Sequence, residues 1–155
     1  MDKEFEEKCF KQRTIIQKPS ASQIKKKELI VSLSEQHKNN AEYFLECAKN
    51  ILNTTTPLAS VLIAHFAMEH KANQLLSFHG YKIESHKCTQ IALSRIVGEK
   101  DLAKMLSDIF TLRQSIGYRM TLKQSEENKN QAKKIINEIV IPFFEKINSL
   151  LTEIK

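Results

Sequence analysis

The sequence predicts an all-α protein, an up-and-down bundle of four to five helices that needs no strand. Its 155 residues include only three glycines and three prolines, too few for the closely spaced turns of an all-β protein. Apolar side chains recur at three- and four-residue steps through most of the chain, which is the spacing of amphipathic helices. With 41% hydrophobic and 27% charged residues, the composition is that of one globular domain. We therefore expect an N-terminal arm over residues 1–20 and a single helical bundle over 21–155.

The first long helix follows the arm directly in this prediction. Lys18-Pro19-Ser20 ends the arm, and either Ser20 or Ser22 can cap the helix with its hydroxyl. Lys25-Lys26-Lys27 then lies on the first solvated turn, and the apolar pattern continues to about Leu52.

The second long helix is expected over residues 57–78. Thr56 can serve as its N-cap and Pro57 as its first residue, because proline lacks the N–H that this position leaves unpaired. Apolar side chains go almost all the way round this helix, which indicates a central position in the bundle. Gly80 fits the left-handed residue that commonly follows a helix end.

Three further segments complete the predicted bundle. A polar loop over Tyr81–Glu84 leads to Ser85, the expected N-cap of a short helix. The fourth helix is expected over about 102–120 and the last over about 125–151. Pro142 lies inside the last helix and should kink it, because its ring removes one backbone N–H.

Several observations favour a cytoplasmic protein with reduced thiols. The longest uncharged apolar stretch, Leu58–Ile63, is far shorter than the roughly 20 residues of a membrane span. The acidic start of the sequence lacks the charged and apolar regions of a secretory signal. Cys9, Cys47 and Cys88 show neither metal-binding nor redox spacing, so free cysteines are the simplest interpretation.

The formal net charge of +6 is a poor guide to partners. Residues 1–40 hold nine Lys or Arg and six Asp or Glu, and the rest hold fifteen and twelve, so each part carries +3. A dedicated nucleic-acid binder usually concentrates its basic residues on one stripe. The charge alone therefore does not identify a ligand.

The sequence contains no motif for metal, cofactor or nucleophilic catalysis. His65 and His70 lie five residues apart on one helix, too far round its circumference to share an ion. His86 and Cys88 have no matching ligand pair at an established spacing. Neither a Gly-flanked nucleophile nor a Gly-rich phosphate loop occurs. We predict no metal site and no cofactor, and hydrolase, kinase and dinucleotide-dependent functions have no support.

Several short segments, in a fixed order and spacing, give the chain a resemblance to a known family. They are Ala41-Glu42-Tyr43-Phe44-Leu45 in the first long helix, Ala67-Met68-Glu69-His70 in the second, Gly80-Tyr81, Ser85-His86-Lys87, and Leu112-Arg113 with Tyr118. Together they resemble the HEPN domain, and the chain looks most like the small stand-alone prokaryotic HEPN proteins. The resemblance extends to the N-terminal arm and so covers nearly the whole chain.

The resemblance implies a helical bundle that pairs into a homodimer. Active members of the family carry an Arg, four to six residues, then a His, and two copies form a metal-independent ribonuclease site. Arg113 matches the first half of this signature, but Tyr118 stands where the His is expected. A phenol with a reference pKa of about 10 is a poor general base at neutral pH. A toxin subgroup paired with a nucleotidyltransferase has a modified Tyr where this chain has Met120.

We therefore predict a dimeric nucleotide- or RNA-binding module, or a partner module, of a toxin–antitoxin or defence type system. Its site is a degenerate Arg-x-x-x-x-Tyr, and a nucleotidyltransferase-type protein is the partner that the resemblance suggests. The candidate binding residues are Arg113, Tyr118, His70, His86 and Lys87. The alternative function is an active metal-independent ribonuclease that uses Arg113 with Tyr118 or with a histidine from elsewhere. A third is a structural dimer whose polar pocket binds nothing.

Each candidate residue also has a structural interpretation that the sequence leaves open. Arg113 can extend its guanidinium to solvent from an apolar helix face, and His70 can be a core histidine with one hydrogen-bond partner. Ser85 is more simply a helix cap than a ligand-binding hydroxyl. Tyr118 can pack its ring in a dimer interface with its hydroxyl satisfied.

Overall fold

The structure, a computed structural model, describes residues 1–12, 14–118 and 126–154, and the side chain of Tyr118 lies outside the described part. Helices account for most of it, so the predicted all-α bundle is confirmed. The elements in chain order are α1 (Lys3–Phe5) with a π-helical turn (Glu6–Phe10), β1 (Ala21–Gln23), α2 (Lys27–Ile51), α3 (Ala59–Phe78), β2 (Tyr81–Ile83), α4 (His86–Arg95), α5 (Lys100–Tyr118), α6 (Glu126–Ile135) with a π-helical turn (Ile136–Val140), and α7 (Ile141–Ile154).

Helix α3 is the centre of the bundle and contacts α2, α4, α5, α6 and α7. Both helices of the α2–α3 pair carry small, fully buried side chains in the same core, including Ala41 and Ala48 of α2 and Ala64 of α3. Larger side chains such as Phe143 and Leu106 close the core on the other sides of α3. Each such buried side chain contributes about 1.5–3 kcal/mol relative to leaving it exposed. Helix α3 is apolar on most of its faces because other helices of the bundle cover those faces.

Two short strands are the departure from the prediction that no strand is needed. Tyr81–Ile83, expected to be a polar loop, pairs antiparallel with Ala21–Gln23. Ala21 and Ile83 are opposite each other and both are buried. Three residues are too few to produce a recognisable two-residue alternation, and the pairing depends on segments far apart in sequence.

Because β1 occupies Ala21–Gln23, helix α2 begins later than the predicted caps allow. The helix begins at Lys27, with Lys26 as its N-cap and no side-chain cap hydrogen bond. The predicted caps Ser20 and Ser22 instead lie at the end of the arm and within β1. The prediction of the helix was right and that of its cap was wrong.

The N-terminal arm packs on the bundle through a second, smaller core. Phe5 and Cys9 are fully buried there beside Leu76 and Cys88, and the ring of Phe5 meets that of Tyr81 edge-on at 5.5 Å. Burial of one face of so short a helical segment explains why the arm is ordered against the bundle.

Cys9 and Cys88 form a disulfide bond across 79 residues of sequence. The prediction of reduced thiols is wrong for this pair, and Cys47 is the free cysteine among the described residues. Spacing along the chain gave no signal because the two cysteines meet only through tertiary packing. Cytoplasmic localisation stays a prediction, since disulfides are typical of oxidising compartments.

Other local predictions fared differently. Ser85 is the N-cap of α4, where the N–H of Cys88 donates to its hydroxyl at 3.1 Å. Gly80 adopts the expected left-handed conformation, with φ of +85°. Helix α3 begins two residues later than predicted, at Ala59, and Thr56 accepts the N–H of Ala59 through its carbonyl rather than acting as N-cap.

Pro142 follows a π-helical turn at the expected break in the last helix. The carbonyl of Ile136 accepts the N–H of Ile141, a wider step than the α-helical one. Proline has no N–H to donate to the carbonyl of Glu138, four residues earlier. In a regular α-helix its ring would also clash with that carbonyl, and the wider π-helical turn relieves the clash. The π-helical turn therefore accommodates Pro142. Ser125, the predicted start of this helix, lies outside the described residues.

In the described part of the chain, every helix is too short or too polar to cross a lipid bilayer.

Candidate functional site

A carboxylate and an imidazole meet where α4 begins beside the middle of α3. The N-cap at Ser85 makes His86 the first residue of α4. From there its ring nitrogen Nδ1 forms a hydrogen bond with Oε1 of Glu69 on α3. The side chain of Glu69 is 15% exposed and that of His86 is 45% exposed. The carboxylate of Glu69 is thus largely buried, and the imidazole of His86 is accessible to solvent.

His65 lies one helical turn before Glu69 and is fully buried. Its Nε2 is 3.4 Å from Oε1 of Glu69, and neither ring nitrogen has a hydrogen-bond partner among the described residues. Burial, with the charges of His86 and Arg113, lowers the pKa of His65 to about 3. This ring is therefore neutral at pH 7 and packs against those of His86 and Phe110, at 5.2 and 5.5 Å.

Arg113 on α5 brings a permanent positive charge to the same place. Its guanidinium carbon is 5.4 Å from the ring centroid of Phe66, a cation–π contact. Burial raises the pKa of Glu69, and the opposing effects come from the hydrogen bond and charge of His86 and then from the charge of Arg113. Arg113 is half-buried, so its side chain is partly covered by the protein and partly accessible to solvent.

A cavity of about 490 Å³ opens beside this cluster. It is lined by Ser85, His86, Lys87, Gln90, Ser107 and Phe110. The lining combines an aromatic ring, hydroxyls, an amide and two basic side chains. Such a mixture suits a ligand that has both a flat ring and an anionic group.

The structure separates the predicted site residues into three groups. His86 and Lys87 line the cavity, and Arg113 acts on the same cluster through Glu69. His70 instead belongs to a second pair, with its Nδ1 3.0 Å from Nδ1 of His37. The backbone of Tyr118 ends α5, while its side chain and the whole of Met120 lie outside the described residues.

The second histidine pair is a packing arrangement between α2 and α3. The rings of His70 and Phe44 stack at 5.7 Å with an interplanar angle of 11°. Burial first, then the charges of His70 and Lys82, lowers the pKa of His37 to about 4, and burial also lowers the pKa of His70. His70 thus has one hydrogen-bond partner and a ring contact, which matches the structural interpretation of this residue.

His65, Glu69 and His86 have the composition of a metal site. Each offers one ligand atom, and the three atoms lie within 4.8 Å of one another. The positive charge of Arg113 near Glu69 opposes a bound cation and favours an anion. The absence of a metal stays a prediction.

Sequence reasoning missed Glu69 and Phe110 as site residues and set His65 aside. One usable signal was present, since His65 and Glu69 are four residues apart and so share a helix face. Their partner His86 comes from another helix, seventeen residues beyond Glu69. No pattern along the chain connects it to them.

The fold and this cluster define an all-α bundle with a polar site to which the central helix contributes Glu69 and the neighbouring helices contribute His86 and Arg113. A HEPN domain family model matches residues 34–147, a range that contains α3, α4, α5 and every described member of the cluster. The chain therefore belongs to the HEPN domain family, as its sequence resemblance indicated. No curated protein matches the chain.

Proposed function

We propose that the chain is a dimeric RNA- or nucleotide-binding module of a toxin–antitoxin or defence type system. The convergence of Arg113, Glu69 and His86 beside an open cavity is the observation that carries this proposal. A guanidinium is always charged and binds phosphate oxygens in pairs. The ligand's phosphate binds near Arg113, and its base packs against Phe110.

Exposed apolar side chains on α2 support the dimer in this proposal. Leu29 is 56% exposed, Val31 53% and Tyr43 66%. Leu29 and Tyr43 lie on one face of α2, about four helical turns apart, whereas Val31 lies on the opposite side. The face that carries Leu29 and Tyr43 is the one proposed to be covered by another protein. A second copy of the chain, or a nucleotidyltransferase-type protein, is the partner proposed for it.

The test is the affinity of the purified protein for RNA and for mononucleotides, measured beside an Arg113→Ala variant. We expect Arg113→Ala to weaken binding at least tenfold while the circular dichroism spectrum stays unchanged. Arg95→Ala is the matched control, because Arg95 is an exposed arginine on α4 paired with Glu4, whereas it is the charge of Arg113 that acts on Glu69. Equal affinities of wild type and Arg113→Ala would remove Arg113 from the site.

The pairing of Glu69 with His86 favours a second candidate, an active metal-independent ribonuclease. His86 is an exposed imidazole whose Nδ1 is engaged by a carboxylate, which leaves Nε2 as the basic nitrogen. In this reaction Nε2 accepts the proton of the 2′-hydroxyl while the 2′-oxygen attacks phosphorus. The bond to the 5′-oxygen breaks, His86 returns the proton to that oxygen, and a 2′,3′-cyclic phosphate forms. The side chain of Tyr118 remains the other candidate proton carrier.

An RNA cleavage assay without added metal separates the two candidates. Cleavage by wild type that falls by about 10²-fold or more in both Arg113→Ala and His86→Ala supports the ribonuclease. His70→Ala is the control and should cleave like wild type, because His70 pairs with His37 instead. Binding without cleavage by the wild type favours the binding module.

A further inference from the structure

A second cavity, of about 230 Å³, lies between the N-terminal arm and the start of α4. Its lining is Lys8, Lys11, Gln17, Lys18, Ser20, Ser85, Lys87 and Cys88. Four lysines thus contribute to its lining, and no carboxylate residue belongs to the lining among the described residues. Lys8 is engaged by Glu4 at 2.8 Å, whereas no ion pair involves Lys11, Lys18 or Lys87 within the described part of the chain. The cavity is therefore a concentrated positive field of the kind that attracts phosphate groups.

Covalent and hydrogen-bonded links fix the walls of this cavity. The disulfide between Cys9 and Cys88 joins the arm to α4. The carbonyl of Ser20 accepts the N–H of Glu84 at 2.8 Å, where strands β1 and β2 begin and end. The lysines of the arm are thus held opposite Lys87 by the fold, although they lie at least 69 positions away in sequence.

The lysine-lined cavity adjoins the cavity beside His86. Ser85 and Lys87 line both of them. A ligand that occupies one and extends past these two residues enters the other. A mononucleotide is short enough to occupy only the cavity beside His86, whereas a polynucleotide extends beyond it.

The geometry points to a phosphate subsite in the lysine-lined cavity, which holds the backbone of a single-stranded RNA whose neighbouring nucleotide lies at Arg113 and His86. This inference rests on the proposed function and specifies its ligand as an oligonucleotide rather than a mononucleotide. At 230 Å³ the cavity is smaller than the 300–1,000 Å³ typical of sites for whole small molecules. Its size suits a phosphate group with part of its sugar. Basic grooves that follow the backbone are the common means of binding single strands.

The experiment compares two ligands and two double variants that carry the same charge change. The ligands are a fluorescein-labelled oligouridylate of about eight nucleotides, within the range that one small domain covers, and uridine monophosphate. The variant is Lys11→Ala/Lys18→Ala, and the control is Lys133→Ala/Lys134→Ala on α6, whose lysines are exposed and line neither cavity. Both sets of lysines are on the surface, so both variants are expected to fold.

We expect Lys11→Ala/Lys18→Ala to weaken oligouridylate binding about tenfold and to leave uridine monophosphate binding unchanged. The slope of log K against log salt concentration should fall by about 0.7 for each lysine that contacts a phosphate. The control variant should match wild type in affinity within about twofold. Equal oligouridylate affinities for the two double variants, or no oligouridylate binding by wild type, would overturn the inference.

Arg113→Ala distinguishes this inference from the proposed function. Loss of both ligands in Arg113→Ala, together with selective loss of the oligonucleotide in Lys11→Ala/Lys18→Ala, supports both. The two proposals separate if Arg113→Ala binds normally while the lysine variant binds oligouridylate weakly. That result contradicts the site at Arg113 and leaves the lysine-lined cavity as an RNA site.

Discussion

Oε1 of Glu69 and Nδ1 of His86 join the central helix α3 to the first residue of α4. The two residues are held in place by different means. Glu69 is fixed by the packing of α3 inside the bundle, and His86 is fixed by the Ser85 cap that starts α4. The hydrogen bond therefore depends on the relative position of the two helices. It also orients the imidazole of His86 at the edge of the cavity.

Removal of His86 should leave a largely buried carboxylate without its hydrogen-bond partner. We expect His86→Ala to lower the free energy of unfolding at pH 7 by about 1–3 kcal/mol, the usual cost of an unsatisfied buried group. Because burial already raises the pKa of Glu69 above its ordinary value, the carboxyl takes up a proton early as the pH falls. The loss should thus be larger at pH 7 than at pH 4, which urea denaturation at the two pH values measures.

His86→Gln is the matched control for that experiment. Its amide can donate to Glu69 from a side chain of similar reach, so its loss at pH 7 should be smaller than that of His86→Ala. Equal losses for the two variants, or a loss independent of pH, would show that the hydrogen bond to Glu69 does not stabilise the fold.

The disulfide should contribute to stability through the long loop that it closes. For the 79-residue separation of Cys9 and Cys88, we expect Cys9→Ser/Cys88→Ser to lower the free energy of unfolding by about 2–4 kcal/mol. Cys47→Ser is the control, since Cys47 is free, and it should change stability by less than about 1 kcal/mol. Thermal unfolding in the presence and absence of a reductant measures the effect. A wild type equally stable under both conditions contradicts this prediction.

The His37–His70 pair should make the fold sensitive to acid. The folded-state pKa of His37 is about 4, below the ordinary value of 6.5. The unfolded chain therefore binds more protons between these values, and stability falls as the pH drops from 6.5 to about 4. His37 is partly exposed, so solvent screening keeps its contribution well below the limit of about 1.4 kcal/mol per pH unit for one titrating group. His70, whose pKa is also lowered, and the charge of Lys82 act on the same group.

His37→Leu isolates this contribution from that of other titrating groups. The variant should show a shallower loss of stability between pH 6.5 and 4 than wild type, as measured by denaturant unfolding across that range. Parallel curves for the two proteins would mean that His37 binds its proton equally well in the folded and unfolded states.

Two left-handed glycines provide a matched test of backbone crowding. Gly80 has φ of +85° and a Cβ there would lie 3.3 Å from the carbonyl oxygen of Ile24, whereas Gly98 has φ of +80° and open space around it. Alanine at either position costs about 1–2 kcal/mol for the left-handed conformation. Gly80→Ala should be the more destabilising of the two, because Ile24 must also shift. Equal unfolding free energies would mean that the carbonyl moves away freely.

The cluster of His65, Glu69 and His86 should favour anions over cations because of Arg113. We expect a chelator to leave the thermal midpoint of the purified protein unchanged, and equimolar Zn²⁺ to raise it by no more than about 1 °C. A larger shift that His86→Ala abolishes would contradict the anionic site, since a ligand at 100 times its Kd stabilises by about 2.7 kcal/mol.

Helices, their order and the central position of α3 could be predicted because they depend on periodicity within single segments. The same is true of the Ser85 cap and the left-handed Gly80, where one residue type satisfies a local requirement. Strands β1 and β2 were missed because each is three residues long and is stabilised only by its partner. A period of two needs a longer run to be recognised.

The candidate site was predicted only in part, for a similar reason. Arg113, His86 and Lys87 came from the family resemblance, which carries residue types but not their neighbours. The roles of Glu69 and His65 depend on how α3 and α4 pack. Burial of His65 could not be inferred from sequence, because a helix that is apolar all round does not reveal which polar side chain it hides.

The crosslink between arm and bundle also has a mechanical consequence. With Cys9 bonded to Cys88, all of α2 and α3 lies within a covalent ring. Tension applied at the two ends of the chain therefore passes through the sulfur atoms and bypasses those helices. When the chain is unfolded by force, the oxidised form should extend about 260–280 Å less than the reduced form, which is the contour length of the 79-position separation between Cys9 and Cys88. The central helix of the bundle is thus protected from any pull on the termini until the bond is reduced.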